Sequence, residues 1–407
     1  MKLKAAATAA TAMATRLFDL GPLEAALVVA RPSKVIKSPY VADVLLVRDI
    51  DPAKLSEYKA QILRLQSAAP KGGAASPTKA QQKRDADEQR MAIQSYLETL
   101  TTTRHLAHAP SLDCAGTVVP GATVWLTPAA SATAKTAYTI QLCSELRGAK
   151  GSDTVAVTVG YHPSLAERAF QALAEKDDEF LEKDLGLSRS DLLGTSSQKT
   201  FGSSRVDFVL ETQDKLLLVE VKNVVGAEYE AGSVPSARSP IGVYPVPPGP
   251  RHAIFPHGTS TKSDLGVISD RAIKHIHELT ELQGTASSFS SSGKQIQSVV
   301  VFIVNREDCT AFRPCHEADA VFAQCLQKAQ RKGVKLVAKE LLWGLVSGSC
   351  SAGRSLPVAF DPSVDCDALD PALLQRVLTY NAEHANDRSY SPTKTAGAKR
   401  KRERETE

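Results

Sequence analysis

The sequence predicts a two-part α/β protein, a small N-terminal β-barrel or sandwich followed by an α/β sheet with helices beside it. Three observations predict it. Short apolar segments punctuated by turn residues recur up to about residue 150. The rest alternates helix and strand, ending in a strand-helix-strand unit whose connection is long enough for a parallel crossover. Between them lies a stretch, Ser204 to Lys222, with the period-two pattern of a hairpin. At 407 residues the chain has room for two domains and insertions.

In the first part, Leu23 to Val47 carries apolar runs at Ala25–Ala30 and Val41–Val47 around a basic segment, which predicts two strands. Residues 53 to 66 have helical spacing, Ala68 to Thr78 is rich in Ala, Pro and Gly, and Lys79 to Leu100 is charged and helical. We read 49–103 as a helical insertion into a domain spanning 21–150. Strand character returns at Thr117–Leu126, turning at Pro120-Gly121, and at Tyr138–Leu142. Residues 1–20, with Lys2, Lys4 and Arg16 but no acid before Asp19, read either as an organelle leader or as a disordered terminus.

In the second part, spanning 151–360, Val155–Val159 is a strand, and His162-Pro163-Ser164 opens a helix with apolar residues at Leu165, Ala169, Phe170 and Leu173. After the hairpin, Val225 to Gly266 reads as a long loop beside the site. A helix over Asp270–Leu282 follows, with Arg271, Lys274, His275 and Glu278 opposing Ala272, Ile273, Ile276 and Leu279. Strands at Ser298–Val304 and Val334–Ala338 flank a helix over Glu317–Lys332. The extension 361–407 lacks apolar periodicity and ends in Lys399-Arg400-Lys401-Arg402-Glu403-Arg404, which reads as a nuclear-localisation patch, a nucleic-acid tail or a solvated tail. The compartment is accordingly open between nucleus and organelle.

The formal charge of +4 is too slight to identify a nucleic-acid binder by composition. No apolar run approaches the roughly 20 residues that span a bilayer, so no membrane role is expected. Seven scattered cysteines without a Cys-x-x-Cys pair argue for reduced thiols rather than a disulfide framework or structural zinc.

The hairpin carries the chemistry. A turn centred on Gln213-Asp214 places Asp207 opposite Glu220, with Cβ atoms roughly 5 Å apart. Lys222 lies on the same face roughly 7 Å further along, while Leu217, Val219 and Val221 take the core face. Two carboxylates that close are relieved by holding a proton or by binding a hard divalent cation, Mg²⁺ or Mn²⁺, and an ammonium beside that cation suits phosphodiester hydrolysis. The same residues also fit a solvated charge pair on an exposed face.

Several blocks together resemble the SfsA (sugar fermentation stimulation protein A) family. Leu23–Val44, with Arg31 and Tyr40-Val41-Ala42-Asp43-Val44, looks like the family's opening strands. His108-Ala109-Pro110 and Pro120-Gly121-Ala122-Thr123-Val124-Trp125 match a second block. Ser204-Arg205-Val206-Asp207-Phe208 with Val219-Glu220-Val221-Lys222 matches a third. Phe255-Pro256, Asp270-Arg271, Lys274-His275 and Glu278-Leu279 follow, and Arg354-Ser355-Leu356-Pro357-Val358 closes the series. Ser111, Leu112 and Asp113 depart from the second block, and His257 stands where the family has an aspartate.

The resemblance implies an OB-like N-terminal β domain and a restriction-endonuclease-like α/β domain of the PD-(D/E)xK class. It also implies DNA, or RNA, as partner, and leaves the oligomeric state open, a homodimer included. In that reading Asp207 and Glu220 hold Mg²⁺ or Mn²⁺, with Glu167 on the preceding helix as a further ligand, although Gln171 competes for that place. Lys222 orients the attacking hydroxide, while Arg205, Arg271, Lys274 and His275 hold phosphates. A second reading keeps the fold as a non-catalytic DNA-binding regulator, and a third gives the cleft to another hydrolase.

Overall fold

The computed structural model describes residues 14–67, 79–110, 116–131, 133–147, 155–201, 204–229, 243–244, 251–257, 265–284 and 293–384. The chain's first described strand, β1 (Arg16–Asp19), belongs to one of two seven-stranded sheets, that of the α/β domain, and the next strands form the other. Of β2 (Glu24–Ala30), β3 (Val41–Leu46), β4 (His105–His108), β5 (Thr123–Pro128) and β6 (Tyr138–Arg147), β3 pairs with β2 and β4, and β2 pairs on its other side with β5. β6 completes the circle by pairing with both β4 and β5. The result is a closed five-stranded barrel, the OB-like domain expected from the sequence. Closure removes the free strand edges. β7 (Val155–Gly160) and β12 (Val243–Tyr244) attach to β6 outside the ring.

The expected helical insertion is α1 (Pro52–Ser67) and α2 (Lys79–Leu100). Ile93, Leu97 and Leu100 bury against barrel residues, and the Tyr58 hydroxyl donates to the Gly121 carbonyl at 3.1 Å. The Ala/Pro/Gly stretch between these helices lies outside the described residues, as do Ser111–Asp113 and the basic C-terminal run.

With β1, the sheet of the α/β domain contains β8 (Gly194–Phe201), β9 (Ser204–Glu211), β10 (Lys215–Val224), β14 (Gln295–Val304), β16 (Lys335–Gly344) and β17 (Ser349–Leu356), in the order β1-β17-β16-β14-β10-β9-β8. β10, β14 and β16 run parallel, so the strand-helix-strand crossover expected from the sequence is present. α3 (Ser164–Lys176) covers one face, while α4 (Asp270–Gly284) and α5 (Ala320–Arg331) cover the other. β11 (Gly226–Ala227), β13 (His252–Phe255) and β15 (Ala311–Pro314) make a third, small sheet.

Three sequence expectations need correction. Arg16–Asp19, assigned to a leader or disordered terminus, is an edge strand on β17. Leu17 is fully buried and Phe18 packs on Trp343, with the Arg168 guanidinium 4.1 Å from the Phe18 ring. Four residues are too short for a periodicity signal. The stretch from Val225 carries β11, β12 and β13 among its described residues and is no plain loop. The extension contains α6 (Pro371–Glu383), capped by Asp370 accepting from Ala372 N, with Val377 in the core against α4.

The domains meet through buried charge. Arg306, fully buried at the end of β14, donates to Glu145 on β6 at 3.0 Å, to Asp308 at 2.8 Å and to the Val225 carbonyl at 2.5 Å. Gly160 N donates to the Asn305 carbonyl alongside, at 2.8 Å. Six described cysteines, 143, 309, 315, 325, 350 and 366, are buried free thiols. No described helix is long and apolar enough to cross a membrane.

Candidate active site

The β9–β10 register is the one expected. Glu211 pairs with Leu216, Leu210 with Leu217, Val209 with Leu218 and Phe208 with Val219. The next step brings Asp207 opposite Glu220, and there backbone pairing stops. The Asp207 carboxylate instead accepts from the Val221 backbone N–H through Oδ2 at 2.8 Å. A side chain therefore replaces a ladder partner, and the hairpin opens at the point where the two acids meet.

Leu217, Val219 and Val221 pack toward α3, and Glu220 and Lys222 take the opposite face. That face is not reserved for chemistry, because Leu216, Leu218 and Val224 fill it with core under α4. A central strand of a parallel sheet is covered on both sides. Glu220 is accordingly buried, at 3% exposure. Its Oε1 accepts from Lys222 Nζ at 2.6 Å and bonds His275 Nδ1 from α4. Burial alone would raise the Glu220 carboxyl, but Lys222 and His275 outweigh it and hold it well below the usual carboxylate range. Burial also pushes the His275 imidazole down, against the bond to Glu220.

Asp207 behaves in the opposite way. Burial first, then the Glu220 charge, raise its carboxyl to about 6, against the Val221 N–H and the Lys222 charge. The Glu167 charge on α3 pushes in the same direction. The two acids are thus driven apart in proton affinity, one firmly ionised and one close to holding its proton.

Of the residues singled out in the sequence, the structure brings Asp207, Glu220, Lys222 and His275 together. His275 touches Glu220 and so belongs inside the site, rather than on an outer phosphate surface. Glu167 is exposed, and among the described residues no group of three His, Cys, Asp or Glu side chains converges closely enough to hold an ion. Arg205 is exposed two positions before Asp207 on β9, and Arg271 is exposed on α4, where its charge reaches His275. Lys274 pairs with Glu278 at 2.8 Å. Sequence reasoning missed Gln198 on β8, whose amide donates to Asp207 Oδ1 at 3.4 Å. A lone Gln in a Ser/Thr-rich strand carries no signal. The helical stripe did mark His275, without indicating its partner.

The donor set fits a small hard cation. Mg²⁺ is commonly held by one or two carboxylates, with waters and substrate phosphate completing its shell. A cation would also relieve the crowding that raises Asp207.

A family model described as the sugar fermentation stimulation protein RE domain matches residues 267–344, from the start of α4 through β16. The sugar fermentation stimulation protein homologue of Shouchella clausii is 26% identical over 219 residues, covering 53% of this chain and 71% of that one. The homologue of Paramagnetospirillum magneticum is 25% identical over 248 residues, covering 61% and 81%. The chain is similar to SfsA-family proteins in each of these comparisons. The SfsA fold extends beyond the region matched by the family model. The solved structure of Pyrococcus furiosus SfsA in complex with Ca²⁺ aligns over 85% of this chain and 100% of that one, with a TM-score of 0.50 and 18% identity. Barrel and sheet are therefore both covered by this SfsA likeness.

Proposed function

We propose that this chain, similar to SfsA proteins, is a DNA-binding protein whose α/β domain holds a Mg²⁺- or Mn²⁺-dependent phosphodiesterase site. The observation that carries the reading is the meeting of Asp207 and Glu220 across the opened end of the hairpin, with Lys222 bonded to Glu220. The spacing Asp207, then Glu220-Val221-Lys222, is that of the PD-(D/E)xK nucleases the sequence resembles. The Ca²⁺ in the Pyrococcus furiosus complex is a hard, oxygen-seeking cation of the same kind.

In this reading Asp207 and Glu220 present the oxygens that hold the cation, which when bound polarises the scissile phosphate. His275 and Lys222 fix the Glu220 carboxylate in place. Lys222 then offers its ammonium to the negative charge that develops on the phosphate. Arg205 and Arg271, both exposed, contact flanking phosphates, and Lys274 joins them by exchanging Glu278 for phosphate.

One observation favours a second reading, a DNA-binding regulator without turnover. Two partners, the Lys222 ammonium and the His275 ring nitrogen, already occupy Glu220 Oε1, and among the described residues no third ligand joins the acids. Supercoiled plasmid incubated with the purified protein, with and without Mn²⁺, separates the two. Metal-dependent nicking that Glu220→Ala and Lys222→Ala both abolish supports the first. Salt-sensitive gel shifts with no cutting, unchanged in both variants, overturn it in favour of the second.

A further inference from the structure

The exposed hairpin strand β8 carries a local irregularity that faces the site. Gly194 to Ser197 pair with Glu211 to Phe208 in register, and Lys199 to Phe201 pair with Val206 to Ser204, yet the rung between Gln198 and Asp207 is missing. At that point the Gln198 backbone adopts φ +56°, a left-handed conformation that side-chain-bearing residues rarely take. Lys37 is the other described non-glycine residue with positive φ, and it lies in a turn of the barrel domain. The departure of Gln198 from strand geometry leaves its amide donating to Asp207 Oδ1.

Each acid of the site thus has two fixed partners. Glu220 has Lys222 and His275, from its own strand and from α4. Asp207 has Val221 N on Oδ2 and Gln198 on Oδ1, the latter from solvent-exposed β8 at the sheet's free edge. We propose that Gln198 is a positioning residue of the site, its amide setting the direction of Asp207 Oδ1 so that this oxygen and Glu220 converge on one cation. The inference rests on the divalent-cation reading given above. An irregular strand residue beside an active site re-aims a side chain in the manner of a β-bulge, and partners that orient ligands tune metal affinity.

The test uses the full-length protein and Mn²⁺ alone, titrated by calorimetry in chelator-treated buffer, with thermal midpoints measured in parallel. Gln198→Gly suits the left-handed backbone better than glutamine does, so the fold is retained. Gln198→Asn tolerates the same backbone and keeps an amide, one methylene too short for the present contact. We expect both variants to bind Mn²⁺ about tenfold more weakly than the parent, with thermal midpoints equal or higher. Unchanged affinity in both, while Glu220→Ala loses binding, overturns the role of Gln198 and leaves the cation site standing. Weaker binding accompanied by a lowered midpoint in both shows a structural strut instead. No Mn²⁺ binding by the parent overturns the cation reading, and this inference with it.

Discussion

Asp207 is the residue whose removal should stabilise the protein. Its carboxyl is raised from 3.8 to about 6, so in metal-free buffer the folded state holds this proton to higher pH than the unfolded chain does. Between about pH 4 and pH 6 the folded state binds the extra proton, stability falls as pH rises through that window, and the full penalty is present above it. Roughly 2 pK units at 1.36 kcal/mol each give a ceiling of about 3 kcal/mol, and partial solvent screening reduces this to about 1–3 kcal/mol. Asp207→Asn keeps the shape and an acceptor for Val221 N, and removes the titration. Its advantage in urea unfolding with EDTA present should be near zero at pH 4 and about 1–3 kcal/mol at pH 7.5. His275 is shifted down, so its own contribution rises with pH over part of this range, but both proteins carry it. Glu220 is depressed, so its contribution is lost only as pH falls below the ordinary carboxylate range. Added Mn²⁺ should raise the midpoint of the parent and leave that of the variant unchanged. A variant less stable than the parent at pH 7.5, or an advantage that does not change with pH, would refute the electrostatic account of the pair.

Three further predictions follow from other parts of the structure. Arg306→Met should cost about 3–5 kcal/mol in chemical unfolding, because it leaves Glu145 charged and buried at the domain junction; adding Glu145→Gln should recover part of that loss. Gly160→Ala should cost about 1–3 kcal/mol, since the new Cβ would lie 2.8 Å from Trp343 Nε1 and closer still to the Asn305 side chain. If DNA lies across the mouth of the site, Arg205→Ala and Arg271→Ala should each lower the slope of log affinity against log salt by about one in gel shifts, while the same changes on α2, for example Arg90→Ala, leave the slope unchanged.

The hairpin was legible because its signals are local and agree. Alternation in Val206, Phe208 and Leu210, a turn at Gln213-Asp214 and a closing apolar run fix one register, and one register fixes which acids face each other. The amphipathic helices α3, α4 and α5 were legible for the same reason, since their apolar stripes repeat along a single element. Features settled by distant partners were not. β1 is held by β17, more than 300 residues away in the chain. α6 shows little periodicity because it buries only a narrow strip against α4, anchored where Asn381 donates to Asp270. Gln198 reaches Asp207 through a backbone irregularity that no residue type at that position announces. The imidazole of His275 was visible on its stripe, yet its partner lies 55 residues earlier and only the packing of α4 over β10 joins them.

That packing explains why the acids meet where they do. β10 has a parallel neighbour, β14, on one side and an antiparallel neighbour, β9, on the other. The parallel side stays paired to the strand's end, with Val224 opposite Val304, whereas the antiparallel side loses its last rungs at Asp207. β9 is therefore released from β10 at the end of β10 where its parallel neighbours also terminate, the edge at which open α/β sheets bind ligands. The connection from β10 to β14 passes through α4, whose first turns bring Arg271 and His275 back over that opening. One interrupted ladder thus places the Asp207 carboxylate on the Val221 N–H, one strand pair supplies two acids held at different proton affinities, and the next helix supplies the imidazole. If Asp207→Asn both stabilised the fold and abolished the Mn²⁺-induced shift, the interruption would be tied to ligand binding, because a purely structural carboxylate has no reason to occupy a position where its removal strengthens the protein.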